Sequence, residues 1–146
     1  SVRHPQTRFM NHIFVDTFCW IALANKRDEW HQRARMVYAT RSNAHFVTTD
    51  EVLIEFLNYF CETGSYSREG SYQRVCSILR NEQIQVVSQS RESFLAGMTL
   101  YGQRLDKGYS LTDCISMQTM RQLGITDVLT HDRHFAQEGF AVLLTD

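Results

Sequence analysis

Apolar and polar positions fall along this chain in blocks. Positions 13–15, 45–48, 84–87, 128–130 and 141–144 are short runs rich in β-branched and aromatic residues. Runs of that kind suit strands buried on both faces of a parallel sheet. Between them, apolar residues recur every three or four positions, which predicts helices. These cover 17–24, 29–41, 49–60, 69–80, 91–105 and 111–123. The expected inward faces are Trp30, Ala34, Val37 and Tyr38, then Tyr72, Val75, Cys76 and Leu79, then Phe94, Leu95, Met98 and Tyr101. Asp28 and Ser90 are candidate caps. Thr48-x-x-Glu51 and Ser110-x-x-Asp113 have the form of capping boxes. Gly124 ends the last long helix. Segments 63–68 and 106–108 read as breaks. Strands alternating with helices predict an α/β fold: a three-layer α/β/α sandwich around a mostly parallel sheet of four to five strands.

Four acidic residues disturb this pattern. Asp16 and Asp132 each follow an apolar strand. Glu55 interrupts a helix in which seven of the nine residues from Val52 to Phe60 are apolar. Asp113 lies in the first turn of its helix. Parallel strands bring their carboxyl ends to one edge, where ligands bind in open α/β sheets. Four carboxylates gathered there repel one another unless a cation sits between them. Oxygen donors favour Mg²⁺ or Mn²⁺ over zinc, and such metals suit phosphodiester hydrolysis. The plainer alternatives are helix capping by Asp16, Ser110 and Asp113, and a partly exposed Glu55 on a polar edge with Asn58 and Glu62. His131-x-x-His134 has the look of a metal pair, but on a strand-to-loop turn the two rings need not converge. Arg133 is either a phosphate contact or a surface Arg. Trp20, Trp30 and the nine Phe are read as core.

Composition narrows the class. The 146 residues fit one domain, placed at 12–146, with 1–11 as an N-terminal extension or expression remnant and 1–9 dispensable. A hydrophobic content of 43% can fill a core, while one Pro and seven Gly exclude a long flexible linker. There is neither a run of ~20 apolar residues for a membrane span nor a signal-peptide pattern. The four Cys form no C-x-x-C pair and sit in or beside apolar segments, as reduced core thiols of a cytoplasmic protein do. The net charge of −1 does not mark a nucleic-acid binder. Yet 13 of the 15 basic residues are Arg, which suits bidentate phosphate contact.

Phe14-Val15-Asp16-Thr17, Thr48-Thr49 with Glu55, Ser110-Leu111-Thr112-Asp113-Cys114 and Thr130-His131-Asp132-Arg133-His134-Phe135 resemble the successive motifs of PIN-domain ribonucleases. The nearest resemblance is to the bacterial toxins called VapC, and it covers about residues 12–146. It implies a Mg²⁺- or Mn²⁺-dependent endoribonuclease acting on RNA, paired with a small antitoxin protein. By the same resemblance Asp16, Glu55, Asp113 and Asp132 form the acidic metal site, and Thr17, Ser110 and Thr130 support it. A homodimer is expected too, from the resemblance and from the aromatic residues between Tyr59 and Tyr72. The rival expectations are a structure-selective DNA nuclease and a non-catalytic module of the same fold.

Overall fold

The structure is a computed structural model that describes residues 11–146. In chain order it comprises β1 (Asn11–Val15), α1 (Thr17–Ala24), α2 (His31–Thr40), β2 (Ala44–Thr49), α3 (Asp50–Tyr59) and α4 (Ser65–Arg80). Then follow β3 (Ile84–Val87), α5 (Arg91–Gln103), α6 (Leu111–Leu123), β4 (Asp127–Leu129), α7 (Arg133–Gln137) and β5 (Ala141–Val142). The expected extension at 1–9 lies outside the described residues. Asn11, expected to precede the domain, belongs to β1 and pairs with Ala44.

All five strands are parallel, in the order β3-β2-β1-β4-β5. The chain steps from β1 through β2 to β3 in one direction, then crosses back to β4 and β5. Right-handed crossovers therefore put α1–α4 over one face and α5–α7 over the other. The direction reverses between β1 and β4, so the crevice at a topological switch point opens beyond the carboxyl ends of those two strands. Their apolar residues fill the middle layer: Phe14, Val15, Val128 and Leu129 are fully buried. Burying a side chain of that size contributes about 1.5–3 kcal/mol, so the two strands that carry the crevice are anchored in the core.

Several boundaries and faces differ from the pattern. Thr49, rather than Thr48, caps α3, accepting from the Val52 backbone N–H at 3.1 Å. The Thr48 hydroxyl instead donates to Val15 O at 2.9 Å and accepts from Trp20 Nε1 at 3.2 Å. It locks β2 to β1 in the core. Asp28 does not cap α2 directly but accepts from the Trp30 N–H at 2.8 Å in the turn before it. On α4 the buried face is Ser71, Val75 and Ile78, with Tyr72 and Leu79 exposed, and the helix begins within the expected break at Ser65. On α5 the buried residues are Gly97 and Leu100, while Leu95, Met98 and Tyr101 face out. The cause is close packing on α6: a Cβ at position 97 would run into the Ile115 side chain. Gly124 ends α6 in the left-handed region at φ 69°, as expected. All four Cys are unpaired; Cys19 and Cys114 are buried, but Cys61 is exposed rather than in the core. Among the described residues no helix is long and apolar enough to cross a membrane.

Candidate functional site

Asp16 follows β1 at the N-cap position of α1, but its carboxylate makes no cap hydrogen bond. It is 4% exposed. It accepts from Thr130 Oγ1 at 3.0 Å, across the gap between β1 and β4. The same Thr130 oxygen accepts from the Asp132 backbone N–H at 3.1 Å. One hydroxyl thus ties the two strand ends together. Burial raises the Asp16 carboxyl to a pKa of about 7, the Asp113 charge adds to this, and the Thr130 hydrogen bond opposes it.

The other three acidic residues arrive from α3, α6 and the turn into α7. Thr17 Oγ1 donates a hydrogen bond to Glu55 Oε1. Glu55 is half-buried, on the open side of a helix whose Val52, Leu53 and Phe56 face the core. Asp113 forms a complete capping box on α6, accepting from the Ser110 N–H at 3.1 Å while its own N–H donates to Ser110 Oγ at 3.0 Å. Capping does not remove it from the crevice. Its carboxyl is pushed up chiefly by burial, with the Asp132 and Glu55 charges adding and the Ser110 hydrogen bonds opposing. Asp132 caps α7, accepting from the His134 N–H at 2.9 Å. Asp16 and Glu55 differ from the other two in accepting from side-chain hydroxyls, those of Thr130 and Thr17.

All four carboxylates line one cleft of about 840 Å³, together with Thr17, Ser110 and His134. Asp113, Asp132 and His134 offer ligand atoms within 4.8 Å of one another. His134 Nδ1 lies 3.3 Å from Asp132 and 3.6 Å from Asp113, yet it is buried and makes no hydrogen bond. His131 does not join it, because its Nδ1 binds Leu144 O at 2.8 Å. Both rings of the His-x-x-His segment line the cleft, but only His134 is grouped with the Asp113 and Asp132 carboxylates. Among the described residues no Arg or Lys lines the cleft. Arg133 is exposed at the start of α7, outside the lining.

The pattern of hydrophobic positions missed part of this cleft. Phe18 and Trp30, read as core, are only partly buried. Phe18, Tyr59 and His131 contribute to the cleft wall. The one available signal was position: Phe18 is two residues past Asp16, and Tyr59 is one helical turn past Glu55.

The donor set suits a hard cation. Four carboxylates share the cleft with His134, like charge faces like charge, and among the described residues no Arg or Lys stands among them. An arrangement of this kind is costly without a counter-charge, and oxygen-rich sites suit hard divalent cations.

Comparison with known proteins agrees with this architecture. The family described as PIN domain matches residues 13–140. The 23S rRNA-specific endonuclease VapC20 of Mycobacterium tuberculosis is 29% identical over 131 residues, covering 88% of this chain and 95% of the relative. Its counterpart in a second strain gives the same figures. The crystal structure of M. tuberculosis VapC20, described as a sarcin-ricin loop cleaving toxin, matches with a TM-score of 0.81 at 23% identity. It covers 90% of this chain and 98% of that one, and at this identity it establishes the fold.

Proposed function

The chain belongs to the PIN-domain family, and on that premise we propose that it is a divalent-metal-dependent endoribonuclease, the toxin of a toxin–antitoxin pair. Asp16, Glu55, Asp113 and Asp132 are its catalytic and metal-holding residues. The observation that carries this reading is Asp16: a buried carboxylate that caps nothing, faces Asp113 and is raised to about 7. A group that is strained in this way and sits in a cleft marks a functional site.

When bound, Mg²⁺ or Mn²⁺ would lower the pKa of an attacking water and stabilise charge developing on the scissile phosphate. The protein's part is placement. Thr130 fixes Asp16, Ser110 fixes Asp113 and Thr17 fixes Glu55, as outer-shell partners of metal ligands do. Arg133, exposed beside Asp132, would meet the RNA backbone outside the cleft.

The substrate is RNA, single-stranded or structured. The target named for the relative makes 23S rRNA and its sarcin-ricin loop the first substrates to test. A small antitoxin protein is the expected partner and the cytoplasm the expected setting. A homodimer is part of the proposal, supported by the exposed Tyr66 and Tyr72 on α4 and tested by light scattering at micromolar concentration.

The deciding experiment incubates the purified chain with 23S rRNA, a sarcin-ricin hairpin and a matched DNA hairpin, with Mg²⁺, Mn²⁺ or EDTA. Cleavage of RNA that EDTA stops and Asp16→Asn loses is the expected result. Cleavage confined to DNA would replace the ribonuclease reading with that of a DNA nuclease. Cleavage by Asp16→Asn at the wild-type rate would refute the proposed site.

A further inference from the structure

The aromatic wall of the cleft has no role in holding a metal, and its geometry suits a different task. Phe18 comes from α1, Tyr59 from the last turn of α3, and His131 from the turn after β4. All three line the cleft that holds the carboxylates. Trp30 backs His131, with ring centroids 4.2 Å apart and planes 31° from parallel. Phe18 lies 6.0 Å from each of these rings. The hydrogen bond from His131 Nδ1–H to Leu144 O fixes the ring's orientation. Opposite charge is missing from the walls, since no Arg or Lys lines the cleft among the described residues. The walls can therefore offer a polyanion little for its phosphates, but they do offer rigid π surface. Tyr59 is 53% exposed, so its ring is open to a ligand.

We propose that Phe18, Tyr59 and His131, backed by Trp30, form a base-stacking subsite that takes an unpaired nucleobase of RNA next to the carboxylates. Every base has a π face, so aromatic stacking adds affinity without demanding a sequence. The subsite would also explain how a chain of net charge −1 holds RNA. It requires an unstacked base at the cut, as single-stranded segments and loops supply. This proposal rests on the ribonuclease reading.

The test measures binding rather than cleavage. Fluorescence anisotropy compares a labelled short oligoriboadenylate with the same strand carrying abasic sugars, in the Asp16→Asn background. The base-bearing strand should bind roughly tenfold more tightly. Tyr59→Leu should lower that ratio with the fold kept, because the residue is more than half exposed and Leu retains an apolar contact for Phe60. Phe18→Leu with Tyr59→Leu should bring it close to one, while Phe18→Tyr with Tyr59→Phe should keep it. A ratio near one in the parent, or one that survives loss of both rings, overturns the subsite. Failure of the wild type to cut any RNA would instead strike the ribonuclease reading, and the ratio would still be measurable.

Discussion

Two buried carboxylate sites in this protein are built in opposite ways. Glu138, at the end of α7, has a side chain only 4% exposed. It is met by Arg104 Nε at 2.9 Å, by Arg121 Nη2 at 2.7 Å and by the Tyr109 hydroxyl at 2.9 Å. Hydrogen bonding to Arg104 is the main reason its pKa falls to about 2, with Arg121 and Tyr109 adding and burial opposing. Asp16, the more deeply buried residue, is met by the Thr130 hydroxyl and faces other acids; burial raises its pKa to about 7, and the Asp113 charge adds to this. Burial pushes both carboxyls up; at Glu138 the hydrogen-bonding neighbours overcome it, and at Asp16 they do not. Of the chain's 13 Arg, two stand around Glu138, and among the described residues none lines the cleft. The first site is closed and completed by the protein. The second is left open, as the proposed metal site requires.

The contrast can be broken at its strongest point with Asp16→Asn. This change keeps the shape and the Thr130 hydrogen bond but removes one buried charge. Cleavage should fall by more than about a hundredfold, the upper end for losing a mere outer-shell partner. The metal-free variant should melt higher than the wild type in calorimetry at neutral pH. Wild type should gain about 2.7 kcal/mol from Mn²⁺ at a hundredfold excess over its dissociation constant, and Asp16→Asn distinctly less. A lower melting temperature with an undiminished metal response would mean that Asp16 is structural.

Glu138→Gln should do the reverse. It leaves Arg104 and Arg121 without their shared partner and should cost about 2 kcal/mol in urea unfolding. That is below the figure for a wholly buried pair, because the two Arg side chains are 34% and 41% exposed. Its Mn²⁺ response should match that of the wild type.

The two sites also have opposite pH signatures. Asp16 in the metal-free fold binds its proton more tightly than in the unfolded chain. Its favourable contribution is present below the ordinary value of 3.8 and is lost as pH rises through about 7. Glu138 holds its proton less tightly, so its contribution is present above 4.5 and is lost as pH falls towards 2. Thermal melts of the metal-free protein should decline on both sides of the mildly acidic range. Asp16→Asn should flatten the alkaline decline and Glu138→Gln the acid one. If each variant leaves its own limb unchanged, the contrast is wrong.

The smallest effect is expected from Thr130→Val, a near-isosteric change that removes the hydroxyl joining Asp16 to the Asp132 backbone. Stability should fall by about 1 kcal/mol, and the alkaline decline should move to higher pH because Asp16 loses the bond that opposes its upward shift. Activity should drop by about tenfold. An unmoved pH profile would show that Thr130 does not govern Asp16.

What the sequence determined by itself was whatever depends on near neighbours along the chain. The apolar runs of β1 and β4 end just before Asp16 and Thr130, and parallel pairing is enough to place those ends on one edge. The Ser110–Asp113 capping box closes within four residues, so its spacing alone revealed it. Tertiary structure decided what depends on distant partners. Thr48 looked like the cap of α3 until Val15 and Trp20 claimed its hydroxyl. The apolar face of α5 was assigned outside in, because Gly97 adds nothing to a hydrophobic pattern yet lets α6 approach where a larger residue would clash. Glu138 gave no local sign at all, since its three donors lie 34, 29 and 17 positions away. Periodicity records which side of an element is apolar. It cannot record which far segment arrives to satisfy a charge, because that is fixed only when the layers pack.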